Sequence, residues 1–463
     1  KTSDLKDGYG VRQRGNQEIG IVDIVSSITK YAVTIKEPNK IKYHLDKAVY
    51  EAKNGRPGPV WLDIPLDVQG ADIKEEDLVG YEPNKPQEIS DGSNIEDICK
   101  VVSLLKQAKK PIIIAGQGIE RRNGKELFRQ LVETLRIPVL CSWIAVELLE
   151  YNHECNLGKP GMVAPRYSNF TMQDADLIIA IGTRLDPAMI GYNPKDFAPN
   201  AKKIIVDVDR NELNKFQFPI EIKIEMDATL FIEQFLNKVK EIELQPEVHD
   251  WLKQCQKWKQ EYPVVLDEFR EDRGAVNPYF FIDTLSEELS EDDVVIPGSS
   301  GAGIDVFWMC IKNRRNQRML ATGSLGSMGY GIPAAIGACL AAGKRTICVE
   351  GDGSLQLNIQ ELASIVGMHL PIKIFINGNG GYLSIMNMQR THFGGNFVGA
   401  NGTSHLYIPD IIAVAKAYGL TTFEIKNHNE AEKIIKQTLD TEGPALCYVH
   451  MRDDVPIQPK VMS

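Results

Sequence analysis

Two short glycine-rich segments in the last third of the chain carry the strongest chemical signal. GDGS at 351–354 follows the apolar run 346–350, and NGNGG at 377–381 follows the apolar run 372–376. If both runs are strands of one parallel sheet, the two segments lie at its carboxyl edge, where such sheets bind ligands. We therefore expect the polar side chains of these segments to converge.

The residue types in these segments suit a divalent cation that holds a diphosphate. Mg²⁺ is a hard cation with oxygen ligands, and Asp352 and Asn379 can supply a carboxylate and an amide oxygen. Gly353 lets the backbone approach phosphate oxygens, and Ser354 offers a hydroxyl. Two purely structural turns are the alternative, but a pair of such loops at neighbouring strand ends favours metal–diphosphate binding.

The elements that must position these segments alternate between extended and helical patterns. In the last part of the chain we predict strands at 294–297, 346–350 and 372–376 and helices at 331–342 and 360–368. An earlier part repeats the alternation, with strands at 111–115, 177–181 and 203–208 and helices at 95–107 and 124–135. Near the start we predict a helix around 44–53 and a strand at 60–64. This alternation predicts the α/β class with parallel sheets.

Length and composition indicate a globular chain of several domains. The 463 residues give a prior of about three domains, and 43% hydrophobic with 25% charged residues is ordinary for a packed protein. An acidic, proline-containing stretch at 71–95 is typical of a linker. We predict domains at 1–75, 90–245 and 276–463.

Several function classes are excluded or disfavoured by charge and cysteine usage. The net charge of −10 comes without a sustained basic block, so we expect no nucleic-acid partner. The longest apolar stretch, 332–342, is much shorter than the roughly 20 residues that span a bilayer, so we expect no membrane segment. The eight cysteines lack a CxxC pair, which predicts buried free thiols and a cytoplasmic location. No signal-like segment follows Lys1.

GDGS followed by NGNGG resembles the thiamine-diphosphate motif, in which GDG is followed by Asn-Asn at a later strand end. Gly378 stands at the first Asn, and Asn379 matches the second. The resemblance implies that Mg²⁺ is held by Asp352, Asn379 and the backbone carbonyl of Gly381. The loop GSLGSMG at 323–329 is similar to the acetolactate synthase loop whose bulky apolar residue props thiamine into a bent shape, and Met328 matches that residue.

The resemblance also implies a set of residues that contact the cofactor. Besides the metal ligands, it comprises residues of three glycine-rich loops and the start of the segment that follows the last one: Gly298, Ser299, Ser300, Gly326, Ser327, Met328, Gly351, Gly353, Ser354, Asn379, Gly381 and Tyr382.

The first 75 residues resemble the end of a pyrimidine-binding domain of acetolactate synthases, through GRPGPV at 55–60 and DIP at 63–65. In that family a glutamate of this domain activates cofactor bound to another subunit. The resemblance implies a homodimer or homotetramer and places the activating glutamate upstream of Lys1. Glu18 and Glu51 do not match it.

The middle unit is similar to the central, Rossmann-like domain that binds FAD in acetolactate synthases. The matching residues are Gly116, Gly118, Gly182, Thr183, Arg184, Asp207 and Asp209. Tight turns and a strand end explain the same residues equally well, so FAD remains open at this point. The implied architecture is thus three parallel-sheet α/β domains: a partial pyrimidine-binding domain, a central domain and a diphosphate-binding domain.

Two departures from the family bear on the substrate. Acetolactate synthases carry Gly-x-His-Gln where this chain has Gly298-Ser299-Ser300-Gly301, and a Trp where this chain has Met388. Both changes argue against the condensation of two pyruvate molecules as the reaction of this chain. His392 could donate a proton, although a surface or packing role is the simpler interpretation.

The resemblance implies a thiamine-diphosphate-dependent carboligase or lyase of the acetolactate synthase type. It would decarboxylate a 2-keto acid to an enamine and transfer that unit to an acceptor carbonyl. A decarboxylase or oxidase of the same family is one alternative, and a non-catalytic or regulatory nucleotide-binding homologue is another. An NAD-dependent dehydrogenase is disfavoured, because Gly116-Gln117-Gly118 lacks the third glycine of GxGxxG.

Overall fold

The structure is a computed structural model that describes residues 1–5, 10–83, 95–120, 124–240, 242–271, 274–298, 302–323 and 325–459. The chain forms two compact units. Lys1–Asn94 and Val208–Asn211 make up the first, and Ile95–Asp207 with Glu212–Ser463 make up the second. The predicted boundaries near 75–90 and 245–276 remain predictions.

The first unit contains a small parallel sheet of two strands, β1 (Tyr31–Thr34) and β2 (Val60–Asp63). Tyr31 pairs with Val60 and Thr34 with Asp63. The helices of this region are α1 (Ile21–Val25), α2 (Ile41–Lys53) and α3 (Leu66–Gln69). The crossover from β1 to β2 through α2 is what parallel pairing requires.

The first sheet of the second unit has five parallel strands in the order β4-β3-β5-β6-β7. Their bounds are β3 Pro111–Ala115, β4 Val139–Cys141, β5 Leu177–Ile181, β6 Lys202–Asp207 and β7 Ile222–Glu225. Every residue of β3 and β5 is buried, as in parallel strands covered on both faces. The order reverses between β3 and β5, so the crevice of this sheet lies at their carboxyl ends.

The helices of this part of the chain precede, connect or follow the strands of this sheet, and the longer ones each bury an apolar stripe. They are α4 Ile95–Gln107, α5 Lys125–Leu135, α6 Arg166–Gln173, α7 Pro187–Ile190, α8 Arg210–Asn214 and α9 Ala228–Val239. In α9, for example, Phe231, Phe235 and Val239 recur at helical spacing and are all buried.

The second sheet has six parallel strands in the order β12-β13-β11-β10-β8-β9. Their bounds are β8 Val294–Pro297, β9 Arg318–Met319, β10 Thr346–Gly351, β11 Ile372–Gly378, β12 Thr421–Ile425 and β13 Ala445–His450. The order reverses between β8 and β10. The loops after β8, β10 and β11 therefore lie beside one crevice.

Both faces of the second sheet are covered by helices, and two apolar clusters of buried residues form its core. The helices from this part of the chain are α10 Pro246–Glu261, α11 Asp267–Arg270, α12 Pro278–Glu288, α13 Phe307–Cys310, α14 Gly331–Ala342, α15 Asp352–Leu355, α16 Leu362–Gly367, α17 Leu383–Phe393, α18 Ile411–Tyr418 and α19 His428–Asp440.

The predicted fold class, α/β with parallel sheets, is confirmed by this architecture. The predicted helix 360–368 begins one residue earlier, as a 3₁₀ turn over Ile359–Glu361, because the Glu361 amide donates to Asn358 O three residues back, at 3.1 Å. All eight cysteines lie in the described residues and are free thiols, and only Cys99 is exposed. Among the described residues, no helix is long and apolar enough to cross a membrane.

Candidate functional site at the carboxyl edge of the second sheet

Asp352 joins the two glycine-rich loops that the sequence singled out. It directly follows β10 and is fully buried. Its Oδ1 accepts from the Gly353 amide at 2.7 Å, and its Oδ2 accepts from the Gly380 amide, in the loop after β11, at 2.6 Å. The expected convergence of the two loops is therefore present, and a single carboxylate holds them together.

The carboxylate of Asp352 is in an environment that leaves its charge only partly compensated. Burial raises the pKa of Asp352 to about 6, although backbone amides from Gly380, Gly353, Gly381 and Asn379 favour the ionised form. At neutral pH the group is predominantly ionised. A buried anion of this kind is suited to bind a cation.

The Asn379 side chain and the Gly381 carbonyl lie next to this carboxylate. Asn379 is only 8% exposed. With its amide rotated by 180°, the nitrogen would donate to Gly381 O at 2.8 Å and to Asp352 Oδ1 at 3.3 Å; as oriented, the amide oxygen occupies that position. The amide of Asn379 therefore satisfies both oxygens with its nitrogen when no cation is present, and it can turn its oxygen to the same place when a cation binds there.

Ser354 ties a third loop to the same place. Its buried hydroxyl accepts from the Gly329 amide at 2.9 Å, and Asn358 Nδ2 donates to Gly329 O at 2.7 Å. Gly326 N donates to Thr322 Oγ1 at 3.0 Å within that loop. The loop 325–329 is thus fixed at its end next to GDGS, and Met328, directly before Gly329, is 40% exposed.

Glu350 is a structural residue of this edge that the sequence analysis missed, because it was counted as part of an apolar strand. It is fully buried on β10. Its Oε2 accepts from the Gly331 amide, at the start of α14, at 3.1 Å, and its Oε1 accepts from the Gly351 amide at 2.9 Å. A charged residue within a buried strand was the available signal.

Gly298 and Gly353 are glycines for packing reasons as well. A Cβ on Gly298 would overlap Glu350 and the Val349 carbonyl, and a Cβ on Gly353 would lie 2.7 Å from Cδ1 and Cε1 of the Tyr382 ring. Tyr382 therefore packs directly on the GDGS loop, where the sequence analysis placed it among the cofactor contacts.

Some of the other residues predicted for this site do not lie at the carboxyl edge of the second sheet or cannot be placed there. Ser299 and Ser300 lie outside the described residues. Met388 is on α17 and 44% exposed, and His392 is exposed in the last turn of the same helix. The structure gives His392 no buried partner of the kind that a proton donor would need, within the residues described.

The carboxyl edge of the first sheet is filled mainly by backbone. A Cβ on Gly116 would overlap the Gly182 carbonyl, and one on Gly118 would lie 2.8 Å from Gly182 Cα. The Gly118 amide donates to Gly182 O at 3.0 Å. Gly182 itself has φ +59°, in the left-handed region that favours glycine. The loops after β3 and β5 therefore touch at the very point where this sheet has its crevice.

The other residues of the predicted FAD site lie in different units, are buried or form ion pairs with other side chains. Thr183 is buried, and Arg184 Nε lies 3.0 Å from Glu212 Oε1. Asp207 ends β6 in the second unit, whereas Asp209 belongs to the first unit, where its Oδ2 lies 3.1 Å from Arg56 Nη1.

Comparison with known proteins agrees with this architecture. Residues 98–235 match the family "Thiamine pyrophosphate enzyme, central domain", and residues 301–449 match "Thiamine pyrophosphate enzyme, C-terminal TPP binding domain". Thiamine pyrophosphate is another name for thiamine diphosphate. The first matched segment contains all five strands of the first sheet of the second unit, and the second contains β9 to β12 and all but the last residue of β13.

Acetolactate synthases of several organisms are similar over almost the whole chain. The large subunit of Corynebacterium glutamicum is 30% identical over 458 residues, which cover 96% of this chain and 71% of the relative. The isozyme 1 large subunit of Escherichia coli is 29% identical over 450 residues, 96% of this chain and 76% of the relative. The mitochondrial catalytic subunit of Saccharomyces cerevisiae is 30% identical over 465 residues, 96% of this chain and 66% of the relative.

Fold and site thus define a thiamine-diphosphate enzyme with central and cofactor-binding α/β domains. The chain belongs to the acetolactate synthase large-subunit family, as the sequence motifs indicated. It is an acetolactate synthase-like enzyme that depends on thiamine diphosphate.

Proposed function

We propose that Asp352, Asn379 and the carbonyl of Gly381 hold Mg²⁺ and, through it, the diphosphate of thiamine diphosphate. The observation that carries the proposal is the convergence of three oxygen-bearing groups, in which the side-chain amide of Asn379 lies 2.8 Å from Gly381 O and 3.3 Å from Asp352 Oδ1. Among the described residues, no group of three His, Cys, Asp or Glu side chains offers another metal site. A carboxylate, an amide and a carbonyl are the oxygen ligands of a hard cation, which supports Mg²⁺.

The loops around this group would bind the rest of the cofactor. Gly353 and the loop ending at Gly329 lie at the same edge, and Ser354 links them. Met328 precedes Gly329 and is partly exposed, so it can support the thiamine from one side. The proposed contacts remain those inferred from the sequence: Gly298, Ser299, Ser300, Gly326, Ser327, Met328, Gly351, Gly353, Ser354, Asn379, Gly381 and Tyr382.

The proposed reaction starts with loss of CO₂ from a 2-keto acid and continues with transfer of the remaining unit to an acceptor carbonyl. When bound, thiamine diphosphate supplies the electron sink that lets the carbon–carbon bond break. The residues of the chain fix the diphosphate end through the buried Asp352 and present apolar side chains such as Leu325 and Met328 on the adjoining loop. An apolar surrounding favours loss of the charged carboxylate.

The residues of the chain say less about the acceptor carbonyl compound than about the 2-keto acid donor. Gly298-Ser299-Ser300 replaces the Gly-x-His-Gln of acetolactate synthases, and Met388 replaces their Trp. These departures favour a substrate pair other than two pyruvates. A simple decarboxylase or an oxidase of the same family would differ only in the acceptor of the unit that remains after CO₂ is lost. Identification of the product therefore distinguishes these activities.

Flavin binding and assembly are separate predictions. The contact between Gly116 and Gly182 explains these glycines without FAD. Gln117 Oε1 and Glu120 Oε1, in the loop after β3, are buried without a hydrogen-bond partner in the described structure, which leaves two acceptors for a ligand or water. We keep FAD, a homodimer or homotetramer and a cytoplasmic location as predictions. Absence of an absorbance band at ~450 nm after incubation with FAD and removal of the unbound flavin by gel filtration would exclude the flavin.

The test is reconstitution of the purified chain with thiamine diphosphate and Mg²⁺, with binding followed by calorimetry. Binding that requires the metal is expected. The reconstituted protein is then given a panel of 2-keto acids, with and without an added aldehyde or second 2-keto acid, and CO₂ and products are measured. Failure to bind the cofactor would overturn the proposal; release of an aldehyde alone would replace the carboligase by a decarboxylase.

A further inference from the structure

Gly378, at the end of β11, lies beneath the ring of Tyr448 from the neighbouring strand β13. Register pairs Ile376 with Tyr448 and Gly378 with His450. A Cβ on Gly378 would overlap the Tyr448 ring, with Cε1 only 2.5 Å away, and would also meet the hydroxyl. The ring therefore leans towards the carboxyl edge of the sheet, from the pair of Ile376 and Tyr448 over the next pair on the same face, Gly378 and His450. Each such line of paired residues across the strands is called a row here. The ring occupies the space that any side chain at 378 would need.

The lean of the ring places the Tyr448 hydroxyl over Gly378, in the row of the sheet that leads to Asp352. On the other side of β11, Glu350 pairs with Ile376 and Gly351 with Asn377. Asp352 follows by one residue and so continues the row of Gly378. Because residues two apart on a strand point to the same face, a side chain that reaches over Gly378 approaches the start of the GDGS loop.

Electrostatics agree with this placement. Burial, followed by the charges of Asp352, Asp410 and Glu424, raises the pKa of Tyr448 to about 12. The phenol is therefore protonated at neutral pH and can donate a hydrogen bond.

The hydroxyl of Tyr448 takes part in no hydrogen bond with any residue that the structure describes. Tyr279, another tyrosine of the same domain, shows the usual arrangement: its hydroxyl bonds to Pro456 O, Gln458 O and the Gln458 amide at 2.8–3.2 Å. A buried or half-buried tyrosine hydroxyl normally has a partner. The hydroxyl of Tyr448 is thus available to donate a hydrogen bond next to the proposed metal–diphosphate site.

We propose that Tyr448 is a binding residue of the metal–diphosphate site. Its hydroxyl donates a hydrogen bond to an oxygen next to Asp352, supplied either by the diphosphate or by a metal-bound water, and Gly378 is glycine because the ring needs its space. This inference rests on the proposed function and deepens it. It also gives a packing reason for the departure at 378, where the family motif has Asn, because a side chain there would overlap the Tyr448 ring.

The test compares Tyr448→Phe, which removes only the hydroxyl, with Tyr418→Phe. Tyr418 ends α18 and packs against the same core cluster as Tyr448, which makes it a matched control. Thiamine diphosphate is titrated calorimetrically at saturating Mg²⁺, and Mn²⁺ is titrated alone by electron paramagnetic resonance. Loss of a hydrogen bond to a charged group predicts roughly 10- to 100-fold weaker binding of the diphosphate for Y448F, whereas Y418F should match the unmodified protein.

The two titrations separate the two sources of the oxygen. Weaker Mn²⁺ binding without the cofactor assigns the contact to a metal-bound water, and an effect confined to the cofactor titration assigns it to the diphosphate. Thermal unfolding of both variants without ligand checks that the fold is retained. Affinities of Y448F within twofold of the unmodified protein in both titrations would overturn the inference, while failure of the unmodified protein to bind would instead overturn the proposed function.

Discussion

The two sheets of the second unit have the same kind of crevice but fill it differently. In the first sheet the strand order reverses between β3 and β5, and the loops there touch through Gly116, Gly118 and Gly182. In the second it reverses between β8 and β10, and the side chains of Asp352 and Asn379 converge beside it. Glycines at strand ends therefore mark a crevice without showing whether backbone or a ligand occupies it.

The difference lies in what accompanies the glycines. At the second sheet the carboxylate of Asp352 and the amide of Asn379, on two neighbouring loops, point to one place, and the hydroxyl of Ser354 binds a third loop beside them. At the first sheet Arg184 is paired with Glu212, and the close approach of the Gly116 and Gly182 backbones takes up the space. Three predictions test this contrast.

The largest effect is expected for Asp352→Ala compared with Asp207→Ala. Asp352 follows a strand of the second sheet and Asp207 ends a strand of the first. Loss of the Asp352 carboxylate removes a proposed metal ligand and the acceptor that joins two loops, so binding of thiamine diphosphate with Mg²⁺ should be abolished. D207A should bind within twofold of the unmodified protein. Calorimetric titration measures both, and unaltered affinity of D352A would show that the metal lies elsewhere.

Gly116→Ala should then destabilise the fold, whereas Gly337→Ala should not. A Cβ at 116 would overlap the Gly182 backbone, which cannot move aside cheaply, whereas a Cβ at Gly337 in α14 meets nothing within 4 Å. Overpacking of this kind costs about 3 kcal/mol of unfolding free energy. The helical Gly337→Ala should instead stabilise by about 0.5–1 kcal/mol.

Urea unfolding of the two glycine variants gives the comparison directly. If G116A were as stable as the unmodified protein, the loops after β3 and β5 would have to be apart, with room between them for a ligand. In that case the crevice of the first sheet, like that of the second, would have room for a ligand. Binding of FAD would then again be a possible explanation for the glycines of the first sheet.

Local patterns were sufficient for much of this architecture. The apolar runs of β3, β5 and β8 and the helices α4 and α14 were predicted with the bounds that the structure shows, because each is a continuous apolar or periodic segment between clear breaks. The pairing of Asp352 with the loop of Asn379 followed from one topological rule, that carboxyl ends of parallel strands share an edge.

What escaped prediction depends on contacts between distant segments. Glu350 is buried because backbone amides of Gly331 and Gly351 satisfy it, and Gly378 is explained only by Tyr448, 70 positions later, on a strand that the sequence analysis did not assign. Neither relation has a local signature. The glycines of the first sheet were ambiguous for the same reason, since Gly116 and Gly182 meet only in the folded chain.

The smallest predicted effect concerns the buried side chain of Lys159. Asp352 is buried beside polar groups that favour its charge, but Lys159 is a buried lysine for which burial lowers the pKa to about 8, with only the thiols of Cys141 and Cys310 opposing the shift. A folded-state pKa below that of the unfolded chain means that the charged form destabilises the fold. This cost is complete below pH 8 and disappears as the pH rises from about 8 towards 10.5, the ordinary lysine value.

Lys159→Met should therefore raise the unfolding free energy at pH 7 by about 2 kcal/mol, and this gain should shrink between pH 8 and pH 10.5. Lys253, exposed on α10, provides the control, and Lys253→Met should change stability little at any pH. Urea unfolding at several pH values measures both. A destabilised K159M with the pH dependence of the unmodified protein would contradict the prediction, because it would mean that the ammonium of Lys159 has a stabilising partner and that its charge, like that of Asp352, is kept for a ligand.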